Sequence, residues 1–236
     1  MMNSQSATVT LDVLDIKLTI KPGFWGALAA LWAVMTWVAG RGHSERGFPA
    51  RLGIGFVAMI VMISADVGHA FAHTISARRA GGPMDEIVLD MRMPQTLYHD
   101  NDVSPAVHRG RALGGPIYSA AALATDLATR QITPRDSVFR DVLGWSAVAN
   151  AFIFAGSLLP LPIVDGGSIL KWSLVERGLA EEEAEQAVLQ TNLGLGAAAA
   201  VAGAGLIATK RRWAGLGMVG AAGFLVAVGL GKIRQI

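Results

Sequence analysis

Ser64-Ala-Asp-Val-Gly-His69-Ala-Phe-Ala-His73-Thr-Ile-Ser-Ala-Arg-Arg79 places two histidines four residues apart inside an apolar run. On a helix, residues i and i+4 share a face with Cβ atoms about 5–6 Å apart, so both imidazoles could grip one metal ion. They could equally be hydrogen-bonding groups between neighbouring helices. Asp66, one turn earlier, could orient a ligand or bond to another helix. Ionisable groups inside an apolar span are costly and usually functional. His69, His73, Asp66, Asp126 and Asp165 therefore come first as candidates.

Outward from that stretch, composition sets the solvent. Of 236 residues, 52% are hydrophobic and 16% charged, against about 25% charged in a soluble domain. The deficit points to a lipid bilayer. A formal charge of +2 is too small and too scattered to argue for nucleic acid. With no cysteine, disulfides and thiolate sites are excluded, and any metal must be held by His, Asp or Glu. The first twenty residues hold Asp12, Asp15 and Lys17 and no apolar core, unlike a cleavable signal peptide. The first span is expected to act as an uncleaved targeting signal.

The expected architecture is an all-α, multi-pass membrane protein with six transmembrane helices and a small membrane-associated β-sheet. The spans fall at about 22–40, 52–77, 112–129, 142–161, 188–208 and 214–231, in a single domain over 1–236 with no separate soluble domain. Alternation in Ile16–Ile20 and in Ile87–Met93 predicts two strands. An irregular loop follows through His99–Asp102, and Gly114-Gly-Pro116 is expected to open the third span. Residues 171–187, rich in glutamate, read as a surface helical connector, and the Gly/Ala-rich last two spans as close-packed support. His43 and His108 read as surface residues. Six spans put both termini on one side, which collects eleven of the 20 Lys and Arg residues. That bias favours cytoplasmic termini only weakly.

A hydrolytic zinc site needs three protein ligands and leaves a fourth position for water. The candidate third ligand is Asp165, in Ser157-Leu-Leu-Pro-Leu-Pro-Ile-Val-Asp-Gly-Gly167, where Pro160 and Pro162 stop the fourth span. Broken backbone at membrane depth is tolerated where it lines a protein cavity. The alternative is that Asp165 merely caps the following helix.

His69-Ala-Phe-Ala-His73 resembles the His-Glu-x-x-His of the site-2 protease family of intramembrane zinc metalloproteases. Leu159-Pro-Leu-Pro-Ile-Val-Asp-Gly-Gly167 is similar to that family's Leu-Pro-x-Pro-x-x-Asp-Gly-Gly, and the order of elements over residues 10–175 is similar too. The resemblance implies one zinc ion per chain on His69, His73 and Asp165, with Ala70 standing where the family has its general-base glutamate. Two family asparagines that help hold substrate fall on Ser157 and Ser119, and Asn150 offers a substitute donor. The strand at Ile87 and Leu89 corresponds to one thought to pair with an extended substrate. The implied partner is a single-span membrane protein within the bilayer, with a regulatory membrane partner to account for control.

Zinc activates water and polarises a peptide carbonyl, while a glutamate moves the proton; alanine does neither. A chain with Ala70 is expected to bind metal and hardly turn over. It is either a natural pseudoprotease that binds membrane helices or an engineered Glu→Ala form, and retention of the ligands favours the latter. A metal transporter, which strings ligand sets along a pathway, fits less well with one visible cluster.

Overall fold

The computed structural model describes residues 8–41, 45–91 and 94–232. His43 and Met93 lie outside the described residues. The chain forms two compact units, one through Asp102 plus Leu113–Ala155, the other Val103–Ala112 plus Gly156 onward.

In the first unit, β1 (Val9–Val13) and β2 (Ile16–Ile20) form a hairpin. Its two-residue turn, Leu14–Asp15, has φ of 52° and 58°, the left-handed pair that matches strand twist. β2 then pairs in parallel with β3 (Glu86–Leu89), which pairs antiparallel with β4 (Gln95–Leu97). A parallel pair needs a long crossover, and here it consists of α1 (Pro22–Gly40) and α2 (Phe48–Ala80). Both helices open with Pro in their first turn, where the missing N–H costs nothing. α2 ends at Gly81, whose φ of 83° suits a glycine cap, with Arg78 and Arg79 at the negative end of its dipole.

The strands correct two expectations. The second predicted strand stops at Leu89, four residues short, and the loop before His99 contains β4. Alternation failed as a guide because Ile87, Val88 and Leu89 are all buried, so both faces of β3 are apolar. Met91, expected beside Ile87, is 70% exposed. In the sheet order β1-β2-β3-β4, β3 is internal: Ile87 pairs with Leu18 on one side and Thr96 on the other. The open edges belong to β1 and β4. Ile87 and Leu89 join Ile16, Leu18, Ala70, Ala77 and Met84 in the core of this unit.

α3 (Pro105–Ile132) begins well before Gly114 and carries Pro116 inside it. α4 (Val138–Ser157) stops before the two prolines. In the second unit, α5 (Asp165–Glu176) precedes the pair α6 (Glu181–Ala208) and α7 (Arg212–Gly229). The glutamates assigned to a connector form the first turn of α6, where negative charge meets the positive end of the dipole. Glu183 accepts from the Ala180 N–H at 3.2 Å.

Among the described residues, five helices, α1, α2, α4, α6 and α7, are long and apolar enough to cross a membrane. The sixth expected span, 112–129, is not among them. Within 112–129, Gly114-Gly-Pro116, Tyr118, Ser119, Thr125 and Asp126 leave it too polar, although 28 residues give α3 about 42 Å of length.

Small residues set the approach of α6 and α7. A Cβ on Gly215 would sit 2.7 Å from the Gly203 carbonyl oxygen and 2.5 Å from Ile207, whereas one on Gly217 would meet nothing within 4 Å. Gly215→Ile should therefore destabilise the protein by about 1–3 kcal/mol through overpacking. Gly217→Ala should be neutral or stabilise by up to about 1 kcal/mol. Thermal unfolding of the detergent-solubilised protein compares the two.

Candidate metal centre

The α2 histidines stand edge to face, with ring centroids 5.0 Å apart and planes at 77°. Their Nε2 atoms are 3.3 Å apart. Zinc–nitrogen bonds of about 2.0–2.1 Å at a tetrahedral angle put two ligand nitrogens about 3.3–3.4 Å apart. The spacing therefore fits one ion. His69 Nδ1 lies 3.0 Å from the Ser119 hydroxyl. That contact occupies the nitrogen not needed for a metal and fixes the ring's orientation, as partners of metal-binding histidines do.

α3 supplies the open space in front of the pair. A Cβ on Gly115 would lie 2.2 Å from His69 Nε2 and 2.4 Å from His73 Nε2. Any other residue would push a side chain into the coordination position. Gly114 is equally tight: its Cβ would meet Ser76 at 2.2 Å and the Ala72 carbonyl oxygen at 2.5 Å. Gly68 on α2 makes way for Tyr118 in the same fashion. Gly114 and Gly115 thus bring α3 against α2 rather than open a span.

Ser119, expected as a substrate contact, is fully buried with its hydroxyl 3.0 Å from His69 Nδ1. Asn150 is also buried, but its Nδ2 donates to the Ser146 carbonyl at 3.0 Å. Its amide hydrogens are thus directed within α4. Ile87 is paired on both sides and Leu89 is buried, so neither presents an open edge. Ala70 is 3% exposed within the apolar core. Asp66 is half-buried on α2. His99 is paired with Asp85, Nδ1 to Oδ1 at 3.4 Å, and reads as part of a surface loop.

In the second unit, Asp165 is the first helical residue of α5, preceded by Val164 in extended conformation. A Cβ on Gly166 would lie 2.3 Å from the Leu158 carbonyl oxygen, and one on Gly167 2.0 Å from that of Leu161. The paired glycines let the proline-broken segment fold back onto the first turn of α5. Ser157, the last residue of α4, is buried at its start. Asn192 on α6 was missed by sequence reasoning. It is fully buried and donates from Nδ2 to the Pro160 carbonyl at 2.6 Å. The available signal was an asparagine, beside Gln190 and Thr191, where the apolar part of α6 begins. Farther along α5, Glu176 pairs with Arg109, and Trp172 stacks on His108 at 3.8 Å; His108 is thus not a plain surface residue.

Ser119→Ala removes the partner of His69 Nδ1 and should weaken zinc binding about 10–100-fold, measured by competition with a chelator. Gly115→Ala should lower zinc content further, because its methyl group enters the space before both nitrogens.

No family model matches the sequence. A protein named as a zinc metalloprotease, Rip3, from two strains of Mycobacterium tuberculosis, is 29% identical over 198 residues. That match covers 76% of this chain and 49% of the relative, so the chain spans about half the length of the curated relatives it matches. Among solved structures, the site-2 protease from Methanocaldococcus jannaschii superposes with a TM-score of 0.58 at 14% identity, covering 98% of this chain and 97% of that one. At that identity the likeness concerns the fold. The sequence relatives are thus named as a zinc metalloprotease and the fold is like that of a site-2 protease, two attributes of the family that both motifs resemble.

Proposed function

We propose that the chain is an intramembrane zinc endopeptidase of the site-2 type in a form lacking its general base. His69, His73 and Asp165 hold one zinc ion per chain. The substrate is a single-span membrane protein, cut within or near its helix to release a cytoplasmic fragment. The observation that carries this reading is the pair of Nε2 atoms 3.3 Å apart, faced by a glycine whose Cβ, were it present, would reach both.

When bound, zinc lowers the pKa of its water to about 7 and polarises a peptide carbonyl. The chain's own residues prepare that chemistry. Ser119 fixes His69 so that Nε2 faces the ligand position, Asp165 adds the carboxylate, and the packed helices exclude bulk water. Ala70 has no atom that can accept a proton. A glutamate there would move one to the leaving nitrogen, a contribution of typically 10²–10⁴-fold. Substrate strands pair with the open edge of β4, Gln95–Leu97, in place of the Ile87–Leu89 edge expected from sequence. Cytoplasmic termini rest on α3 crossing with the five apolar helices, which its length allows. Control comes from a membrane partner.

A second reading, a non-catalytic protein that captures membrane helices, draws on one observation. Ala70 packs into an apolar cluster with Ile16, Leu18, Ile87 and Leu89, a setting adverse to an unpaired carboxylate.

Restoring Ala70→Glu and supplying zinc with single-span substrates separates the readings. Cleavage that disappears with His73→Ala supports the protease. A zinc-loaded Ala70→Glu protein that cuts nothing favours the binding protein. Zinc content near zero in the chain as it stands, unchanged by His69→Ala, removes the metal centre.

A further inference from the structure

Halfway along α2 lies a cavity of about 420 Å³ whose walls come from three helices. Ser64 and Ala65 line it from α2, Tyr118 and Asp126 from α3, and Ser146 and Asn150 from α4. For a site at this depth the pattern of hydrogens is unusual. Asn150 Nδ2 donates to the Ser146 carbonyl at 3.0 Å and lies 3.3 Å from its hydroxyl oxygen. Thr125, also in the wall, donates to the Ala121 carbonyl at 2.8 Å. The Asn150 and Thr125 donors therefore point into their own helices.

Two buried acceptors in the wall are left over. Asn150 Oδ1 and Asp126 Oδ2 are both buried with no hydrogen-bond partner among the described residues, and Asn150 is only 2% exposed. A buried carboxylate or carboxamide oxygen without a donor is expensive, more so in a bilayer than in water. Arg130, one turn beyond Asp126, does not relieve it: its Nε is itself buried without a partner, and it does not line the cavity.

The complement of such a wall is a group that brings hydrogens and little else. At this depth the ligands that arrive dissolved in lipid are other transmembrane segments, which associate through polar side chains as well as packing. We propose that this cavity docks a hydrogen-bond-donating side chain, the amide of Asn or Gln or the ammonium of Lys, carried mid-span by a substrate helix. This names a feature of the substrate and rests on the protease reading for the word substrate alone. Ser64 and Ala65 precede His69 by about one turn, roughly 6–8 Å along the helix, and Tyr118 adjoins Ser119, which touches His69. A side chain seated here would register a segment of the substrate near the histidine pair.

The test uses the full chain in nanodiscs and a leucine–alanine transmembrane peptide with Gln, Lys or Leu at its centre. Binding is read by energy transfer and does not need cleavage. Gln and Lys guests should bind about tenfold tighter than the Leu guest. That preference should vanish in Asp126→Leu/Asn150→Leu, and Asp126→Asn should weaken the Lys guest while sparing Gln. Thermal unfolding controls for folding, with Asp126→Asn/Asn150→Ala as the milder pair. Equal binding of all three guests overturns the proposal. So does stabilisation by sodium over choline chloride, lost in Asp126→Asn, without guest preference, because the site is then a cation site. A guest preference in a protein whose Ala70→Glu form cuts nothing sinks the protease reading and leaves the docking site standing.

Discussion

The histidine pair depends on a side chain that is missing. Gly115 allows α3 to lie so close to α2 that a single methyl group would reach both Nε2 atoms. The neighbouring contacts follow the same seam. Gly114 faces Ala72 and Ser76, and Tyr118 faces Gly68, so rising numbers on α3 meet falling numbers on α2. Antiparallel helices at this separation bring Ser119 within 3.0 Å of His69 Nδ1. One close approach therefore accomplishes two things: it leaves room before the ligand nitrogens and it supplies the hydrogen bond that orients one of them. In a bilayer, where helices gain little from hydrophobic burial against each other, such close backbone contact is a principal source of association.

The same economy of space governs the sheet. β2 and β3 are parallel, and a parallel pair cannot be closed by a turn. The crossover must leave and return to the same edge, and α1 with α2 does this by running out and back as a helical pair. A Cβ on Gly55 would lie 2.5 Å from the Thr36 amide nitrogen, so these helices too are joined by a glycine contact. The return path places β3 between β2 and β4. Its last three residues are then covered on both faces, and the apolar cluster under α2 draws its described side chains from this unit.

What was legible in the sequence was local. The spacing of His69 and His73, the Pro-Asp-Gly run and the apolar lengths of five helices are written in contiguous residues, and each depends on a periodicity or a breaker. Elements that depend on distant partners were not legible. β4 has three residues and no alternation of its own, and only Glu86–Val88 makes it a strand. Gly114-Gly-Pro116 reads as a helix start because those residues usually interrupt helices. Its reason for being in mid-helix lies on α2, some forty residues away. Ser119 and Asn192 likewise take their roles from His69 and from the Pro160 carbonyl. The polarity of α3 was visible, but a Gly/Ala-rich core of the right length outweighed it in the reading.

Position 70 decides how the rest is used. Its methyl group is buried with Ile16, Leu18, Ile87 and Leu89, which at first sight argues that no carboxylate belongs there. A glutamate, however, carries its charge three atoms beyond Cβ, and the residue adjoins His69. Turned toward the sheet, that carboxylate would sit among aliphatic groups with no donor, at a cost of several kcal/mol. Turned along α2, it would leave those aliphatic groups for the neighbourhood of His69. The apolar cluster thus penalises only one of the two orientations. Alanine fits the cluster without choosing. The local packing is therefore compatible with a working base and does not by itself argue for a lineage that discarded catalysis.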